Sequence, residues 1–562
     1  MLGPGSATQH MSILVIPAEI LSVVVGSGTP GEIRRWREVS RAFKKIVDDS
    51  PSLQYRLQLD RLGYIEPVKP RRDLSYTGKV EYLRRHRERL RKLTGASNTR
   101  IDFPNSGGRF MKYKFSRGVF AHHTSEFEND IVEFMPQSIS VYEIPSFNRG
   151  LEECKSWSHT TNLGVTVAEF GLSIVLDLLV LFELGTSSLG DDSNVIAVTR
   201  IHLRSLRSGS AHPAAAVPVL SYPVASSSLA DFSICFRIVG DYLMVMFNPP
   251  EFVLLDSILV VWNWVLGKQI ADFPTRGDSF AFISPNLFVV PFSRNDTLAG
   301  APLEVIGQLD IYALNLELEN QPPGAFQHIA TLQLPEHNID SLLVTFIGVD
   351  NSASPSAHSK TVPPSRIPSK VFDISPENEV LCVTVSVLID EDTDVFSPHA
   401  ALGVLLVHHS VILDRLKSLP QSDKPHKIPW SRWAEKTVWA DESFHAMSNL
   451  HFSASGHLAS FIKERQVVIY DVRPCFLGLR ASQVPKGVID LQNDEGTLVG
   501  ALRRLFTTGI SAACKPKVVS SFRLPTELED PIIVMDEEHV ILVDELSMGS
   551  TEFEDFMYIY AF

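Results

Sequence analysis

Cysteine is scarce in this chain: there are five in 562 residues, an odd number with no C-x-x-C pair. That excludes a disulfide-stapled scaffold and a cysteine-based zinc module. Long apolar runs are also missing. The longest, Phe252 to Leu266, falls short of the roughly 20 residues a membrane helix needs, and it contains Asp256. The first ten residues hold no Lys or Arg, and Glu19 interrupts the apolar stretch Ile13 to Val25, so the pattern of a secretory signal is not met. The expectation is a soluble protein of the cytoplasm or nucleus, or of both.

Catalytic and metal signatures are missing as well. There is no H-E-x-x-H, no G-x-x-x-x-G-K and no G-x-S-x-G. His122-His123 and His408-His409 are adjacent pairs, which a strand would point to opposite faces, so neither forms a two-ligand metal face. His445, His451 and His457 stand six apart without a nearby cysteine and read as surface or turn residues. The acidic groups Asp390-Glu-Asp-Thr-Asp and Asp536-Glu-Glu lack the spacing and the glycine of a calcium-binding EF-hand and read as solvated loops. No metal, cofactor or catalytic residue is expected.

What is present is organised by charge. The chain carries 51 basic and 65 acidic residues, a net charge of -14. Between Glu32 and Arg117 the balance reverses, with 23 basic residues against 10 acidic, which leaves 28 against 55 elsewhere. Such a split marks two modules with different surroundings. The Arg-rich segment Lys79 to Lys92 reads either as a solvated helical connector or as a surface for an acidic partner. No aromatics interleave with its arginines to stack bases, so nucleic acid is not an expected partner.

The first sixty residues read as short helices. Pro17-Ala-Glu-Ile-Leu has proline and an acid in a first turn, and Gly26-Ser-Gly-Thr-Pro-Gly stops that helix. Thr29 and Glu32 then stand at capping-box spacing, with Pro30 between them. Ile33, Trp36, Val39, Phe43, Ile46 and Val47 recur at three- and four-residue steps, with Ser40 placed to cap a third helix. From Leu53 to Leu62 the period does not separate helix from strand.

Gly26, Gly28 and Gly31 also satisfy G-x-G-x-x-G, so a dinucleotide-binding enzyme has to be weighed. That fold needs a strand before the first glycine and an acid closing the next strand. Pro17 and Glu19 spoil the strand, and no further alternation of strand and helix follows. A loop between two helices fits better.

Three segments, Ile16-Pro-Ala-Glu-Ile-Leu, Trp36-Arg-Glu-Val-Ser-Arg-Ala-Phe and Ile46-Val-Asp-Asp-Ser-Pro-Ser-Leu-Gln-Tyr, together resemble an F-box over roughly residues 13 to 55. The resemblance implies docking onto the Skp-type linker subunit of a cullin–RING ubiquitin ligase through Ile16, Pro17, Ile20, Leu21, Ile33, Val39, Ser40 and Phe43. The glycine-rich loop departs from the family, which more often has an acidic dipeptide and a leucine there.

Past Asn105-Ser-Gly-Gly, short runs rich in Val, Ile, Phe and Leu are separated by Gly, Pro, Ser and Asp. A unit of hairpin plus third strand recurs around Cys235 to Lys268, Phe280 to Ala313, His451 to Val472 and Ile533 to Phe562. One such unit does not bury both its faces, whereas several arranged radially do. The pattern resembles a degenerate WD-type β-propeller of seven or eight blades, with Val261-Trp-Asn-Trp and Val468-Ile-Tyr-Asp-Val as relics of the blade-ending motif. Two β-sandwiches are the competing architecture. Trp157-Ser-His, Phe170-Gly, Ile201-His-Leu-Arg-Ser-Leu and Val261-Trp-Asn-Trp are similar to the body of F-box proteins of mushroom-type fungi. Asn351 to Lys370, with six Ser and four Pro, and Leu416 to Glu442 read as insertions. Trp430, Trp433 and Trp439 read either as recognition anchors or as a plug at one end of the ring.

The expected organisation is an F-box module over 13–60, a basic helical linker over 61–109 and a mainly β propeller over 110–562. The implied function is recruitment of a protein substrate to a Skp–cullin–F-box ligase, with no chemistry of its own. A propeller scaffold unconnected to ubiquitin is the alternative.

Overall fold

The computed structural model describes residues 16–562 apart from 95–97, 104–108, 126–136, 160–162, 189–194, 225–232, 250–255, 294–306, 315–325, 336–341, 351–368, 390–398, 421, 423, 435–436, 441–451, 464, 474–516, 529–530 and 545–555. The chain divides into two compact units. One comprises Met1–Arg89 with Ser369–Ser375, the other Leu90–Pro368 with Pro376–Phe562.

The first unit is helical: α1 (Ala18–Gly26), α2 (Pro30–Val39), α3 (Arg41–Asp49), α4 (Pro51–Leu62) and α5 (Tyr76–Arg91), the last running two residues past its boundary. The helix ends follow the sequence signals. Thr29 and Glu32 close a reciprocal capping box at α2, with the Thr29 N–H donating to Glu32 Oε2 at 2.7 Å. Ser40 Oγ accepts from the Phe43 N–H at the start of α3. The ambiguous stretch Leu53 to Leu62 is helical, and Gly63 ends it at φ 73°, a left-handed turn that suits glycine.

The second unit is a β-propeller of seven blades among its described residues. The first blade takes Arg109–Ser116, Val119–Ser125, Gln137–Glu143 and Lys155–His159. The second takes Glu169–Ser173, Leu178–Ser188, Val195–Ser205 and Val219–Val224, and the third Ser233–Val239, Tyr242–Asn248, Ser257–Asn263 and Lys268–Thr275. The fourth is built from Ala281–Ser284, Leu287–Ser293, Gly307–Leu314 and Phe326–Gln333. In the fifth, Leu342–Asp350, Val380–Ile389, His399–His408 and Thr437–Ala440 pair in that order. The sixth holds Phe452–Ser455, Leu458–Lys463, Gln466–Asp471 and Lys517–Arg523. Among the described residues, every pairing in these blades is antiparallel except one. Strand His426–Ile428, from the insertion after the fifth blade's third strand, adds in parallel to the outer edge of the fourth.

The seventh blade closes the ring. Pro531–Met535, His539–Asp544 and Phe556–Ala561 pair in order, and Asn98–Asp102 adds as the fourth strand, with Asn98 opposite Tyr560. The terminal strand thus lies in one blade with 531–544, as its apolar alternation suggests. The propeller's first strand, however, begins at 98, inside the segment expected to be helical linker. Its sequence, Asn-Thr-Arg-Ile-Asp, has no alternation that would mark it.

Each middle strand buries both of its faces. In the first blade's second strand, Val119 and Ala121 face the second blade while Phe120 faces the seventh. Likewise Leu178, Val180 and Phe182 pack against the third blade, and Leu179 and Leu181 against the first. Seven hydrophobic clusters result among the described residues, one in each seam, including the seam that joins the seventh blade to the first. A sandwich strand buries only its inner face, so this two-sided packing rules out the sandwich alternative. It also explains why these strands read as unbroken apolar runs.

One hydrogen bond recurs in every blade. The residue at the end of the third strand donates its N–H to the carbonyl of the residue just before the second strand. The pairs are Ile144 to Gly118, Leu206 to Asp177, Trp264 to Asp241, Leu314 to Asn286, His409 to Glu379, Val472 to His457 and Phe562 to Glu538, all between 2.8 and 3.1 Å. The donors are all buried. Val-Trp-Asn-Trp and Val-Ile-Tyr-Asp-Val place Trp264 and Val472 at this shared position.

Trp430 and Trp433 are neither anchors nor a plug. Both are buried in the seam between the fourth and fifth blades, where Trp433 Nε1 donates to Gln333 O at 3.1 Å. The side chain of Trp439 lies outside the described residues. Tyr560 is fully buried against Phe522 at 4.4 Å between rings. Tyr560→Ala should therefore cost about 3–5 kcal/mol and shift one cooperative calorimetric transition of the whole propeller downward. A separate transition for the seventh blade would contradict the closed ring.

Candidate docking surface

The helical unit starts from a helix with more apolar residues than one face holds. In α1, Leu21 and Val25 stand four apart and turn inward. Val25, Ile33, Phe43, Val47 and Leu53 form a small core, with Trp36 packed on Phe43 at 4.9 Å between rings. The remaining apolar side chains of α1 have no room inside. Ile20 is 54%, Val23 72% and Val24 54% exposed, beside Ile16 at 40%, and Val39 at the end of α2 is 63% exposed. These exposed apolar side chains make α1 and the end of α2 the candidate docking surface.

The eight residues expected to dock separate into two sets. Ile16, Pro17, Ile20, Val39 and Ser40 are exposed. Leu21, Ile33 and Phe43 are buried at 3%, 0% and 4%, so they hold the helices together and do not present a surface. Val23 and Val24 were missed by the sequence reading. Their spacing from Ile20 gave the signal, since i, i+3 and i+4 share one helical face. On α2 and α3, Arg35, Arg41, Lys44 and Lys45 are exposed, while Arg37 pairs with Asp48 at 2.7 Å and Arg34 with Asp60.

The glycine-rich loop offers no dinucleotide site. Gly26 ends α1 and Gly31 lies in the first turn of α2, so a helix stands where the strand would have to be. A Cβ at Gly28 would come within 3.0 Å of the Glu32 carboxylate that caps α2.

The second candidate is a cluster of charge in the propeller. Asp536, Glu537, Glu538 and His539 form the turn between the first two strands of the seventh blade, and all four are buried, not solvated as the sequence suggested. Asp536 Oδ1 accepts from the N–H groups of Glu538 and His539 at 2.8 Å and from His539 Nδ1 at 2.9 Å. His539 Nε2 meets Pro145 O at 2.8 Å, and Glu538 accepts from the Asn148 N–H at 3.0 Å and from the Ser146 hydroxyl. Arg149 Nη2 donates to Gly118 O and Ile144 O, both at 3.3 Å. The turn of the seventh blade is thereby bonded to the 144–151 segment of the first. No nucleophile stands at the imidazole, since both its nitrogens are engaged by Asp536 and a carbonyl. The cluster is a fastening of the ring.

Burial opposes a charge on His539, but the Asp536 carboxylate outweighs it and pushes the imidazole up to about 9 from 6.5, while Asp536 is held below the usual carboxylate range. A histidine raised on folding contributes stability that is complete below about pH 6.5 and is lost as pH rises through about 9. The thermal midpoint should fall across that window, and His539→Gln should flatten the fall. An equally steep alkaline loss in the variant would assign it elsewhere.

The other histidines are structural. His122 and His123 face opposite sides of their strand. His122 stacks among Phe103, Phe120 and Tyr142, and His123 lies against Phe170. Desolvation drives His122 down to about 3, so it is neutral. His409 begins α6 (His409–Lys417) directly after His408 ends its strand. His457 lies in a turn, as expected, but is buried there. His445, His451 and Asp390 to Asp394 lie outside the described residues. Among the described residues no three His, Cys, Asp or Glu side chains are grouped to hold a metal, and no helix is long and apolar enough to cross a membrane.

No protein-family model matches the chain, and no curated protein matches it. Among solved structures it is similar to the β-propeller domain of the Trilobed protease from Pyrococcus furiosus, described as having an open velcro topology. The two share 9% identity and a TM-score of 0.31, over 78% of this chain and 89% of that one. A phage phi92 endosialidase shares 8% identity at a TM-score of 0.25, covering 83% and 69%. A chain from the S. cerevisiae assembly of Dbp5 with Nup159 and Gle1 shares 11% at 0.19, covering 56% and 91%. The fold of this chain is a mainly β propeller with N-terminal helices.

Proposed function

We propose that the chain is a substrate-recruiting adaptor of a Skp–cullin–F-box ubiquitin ligase. In this reading α1 to α3 hold the Skp-type linker subunit, and the propeller holds a protein substrate. The chain takes no part in the chemistry of transfer. The observation that carries the reading is the apolar face of Ile16, Ile20, Val23 and Val24 with Val39, on helices whose sequence resembles an F-box. A helical unit that kept these side chains in water with no partner would give up burial worth about 1.5–3 kcal/mol for each. The exposed Arg35, Arg41, Lys44 and Lys45 of α2 and α3 suit a partner that carries acidic residues as well as an apolar patch.

The test is co-purification of the full chain with a Skp-type subunit, followed by surface variants. Ile20→Asp and Val23→Asp should each weaken binding by about ten- to a hundredfold, with the thermal midpoint of the propeller unchanged. Leu21→Asp and Phe43→Asp should abolish binding by a different route, because each buries a charge and unfolds the helical unit, which circular dichroism would register. Binding that survives the double variant Ile20→Asp and Val23→Asp would remove this face as the docking surface.

A further inference from the structure

Seven residues of the helical unit lie far along the chain from the rest of it, which ends at Arg89. Ser369–Ser375 precede the fifth blade's second strand in sequence, yet they belong to the first unit. Asp373–Ile374 pair antiparallel with Tyr64–Ile65, and the backbones of Lys69, Lys370 and Arg71 exchange hydrogen bonds at 3.0 and 2.8 Å. The ring of Phe372 is fully buried, stacked on Tyr64 at 4.0 Å and 17°, with His86 at 5.3 Å and Tyr82 at 6.3 Å. Tyr55, whose phenol is kept protonated by burial, donates its hydroxyl to Val371 O. Lys370 is buried and satisfied within the segment by Asp373 at 2.7 Å.

Tyr55, Leu59, Leu62, Tyr64, Val80, Tyr82 and Leu83 form one core with Val371 and Phe372, separate from the core of α1 to α3. Without Val371 and Phe372, this second core would have an aromatic pocket open to water and a two-residue strand with no partner. A strand pair of that length has no independent stability.

We infer that the helical unit is a split domain: α4 and α5 reach their folded state only when the strap Ser369–Ser375 is in place. The chain leaves the strap directly into the turn Pro376–Asn378, where Pro376 O lies 3.1 Å from the buried His409 Nδ1, so the strap is delivered by the fifth blade. The helices encoded first are thus finished only after the chain has been made through residue 375. The inference does not rest on the proposed partner.

Hydrogen–deuterium exchange on the full chain tests it. Phe372→Ser should speed exchange at least tenfold in amides of Pro51–Leu62 and of the first three turns of α5. Amides of α2, α3 and the seven blades should keep their protection. Phe372→Leu, which refills the pocket with an apolar body, should restore most of the lost protection. If Phe372→Ser speeds only the amides of 369–375 themselves, the strap is a passive passenger and the inference falls. It falls equally if protection drops evenly across the blades. Because the readout is exchange, it stands apart from any loss of binding to a Skp-type subunit.

Discussion

A blade buries both of its faces only when it has a neighbour on each side, and that requirement organises the propeller. Six seams come from blades that follow each other in sequence. The seventh needs the two ends of the unit in one sheet, which the pairing of Asn98–Asp102 with Phe556–Tyr560 supplies. Around that sheet, Met557 and Ile559 face the first blade while Phe556, Tyr558 and Tyr560 face the sixth. The buried turn at Asp536 to His539 adds charge-assisted hydrogen bonds to a seam that is otherwise apolar. Since an unpaired charge there would be costly, the arrangement favours one register of closure over its neighbours.

Much of this was legible from the residues, and what was not has identifiable causes. Caps and breakers are local, so Thr29, Glu32, Ser40 and the stop at Gly26 could be read directly. Recurring strand runs, apolar on both faces, marked a propeller of seven or eight blades, and the pairing of the strands makes it seven among the described residues. Pairings between distant segments left no local trace. Asn98–Asp102 is short and polar because its outward face meets solvent, and it sits after an Arg-rich helix that sets a different expectation. The strap hides in a Ser- and Pro-rich stretch, where Val371 and Phe372 are the two apolar residues that matter. Asp536 to His539 looked like a solvated loop because charge normally means exposure, and here Asp536 is satisfied within the turn while Glu538 and His539 find partners in the first blade, far away in sequence.

Of the eight residues expected to dock, five are exposed on the helices and three are buried beneath them. Sequence spacing marks which side chains belong to a helix's apolar side, but α1 is apolar nearly all round. Which stripe goes inward is decided by α2, α3 and α4, whose own residues Ile33, Phe43 and Leu53 claim Val25. Leu21 and Phe43 accordingly hold the helices together, which leaves Ile20, Val23 and Val24 on the outside.

The closing strand pair also has a mechanical direction. Asn98 lies opposite Tyr560, so in this antiparallel pair the chain coming from the helices and the chain leaving the last strand depart from the same end. A pull between them loads the hydrogen bonds one at a time, as a zipper, and not all together in shear. The strand pair that closes the ring is therefore oriented to yield in sequence to traction on the polypeptide. An unfolding motor drawing these two strands apart would open the closing blade one hydrogen bond at a time.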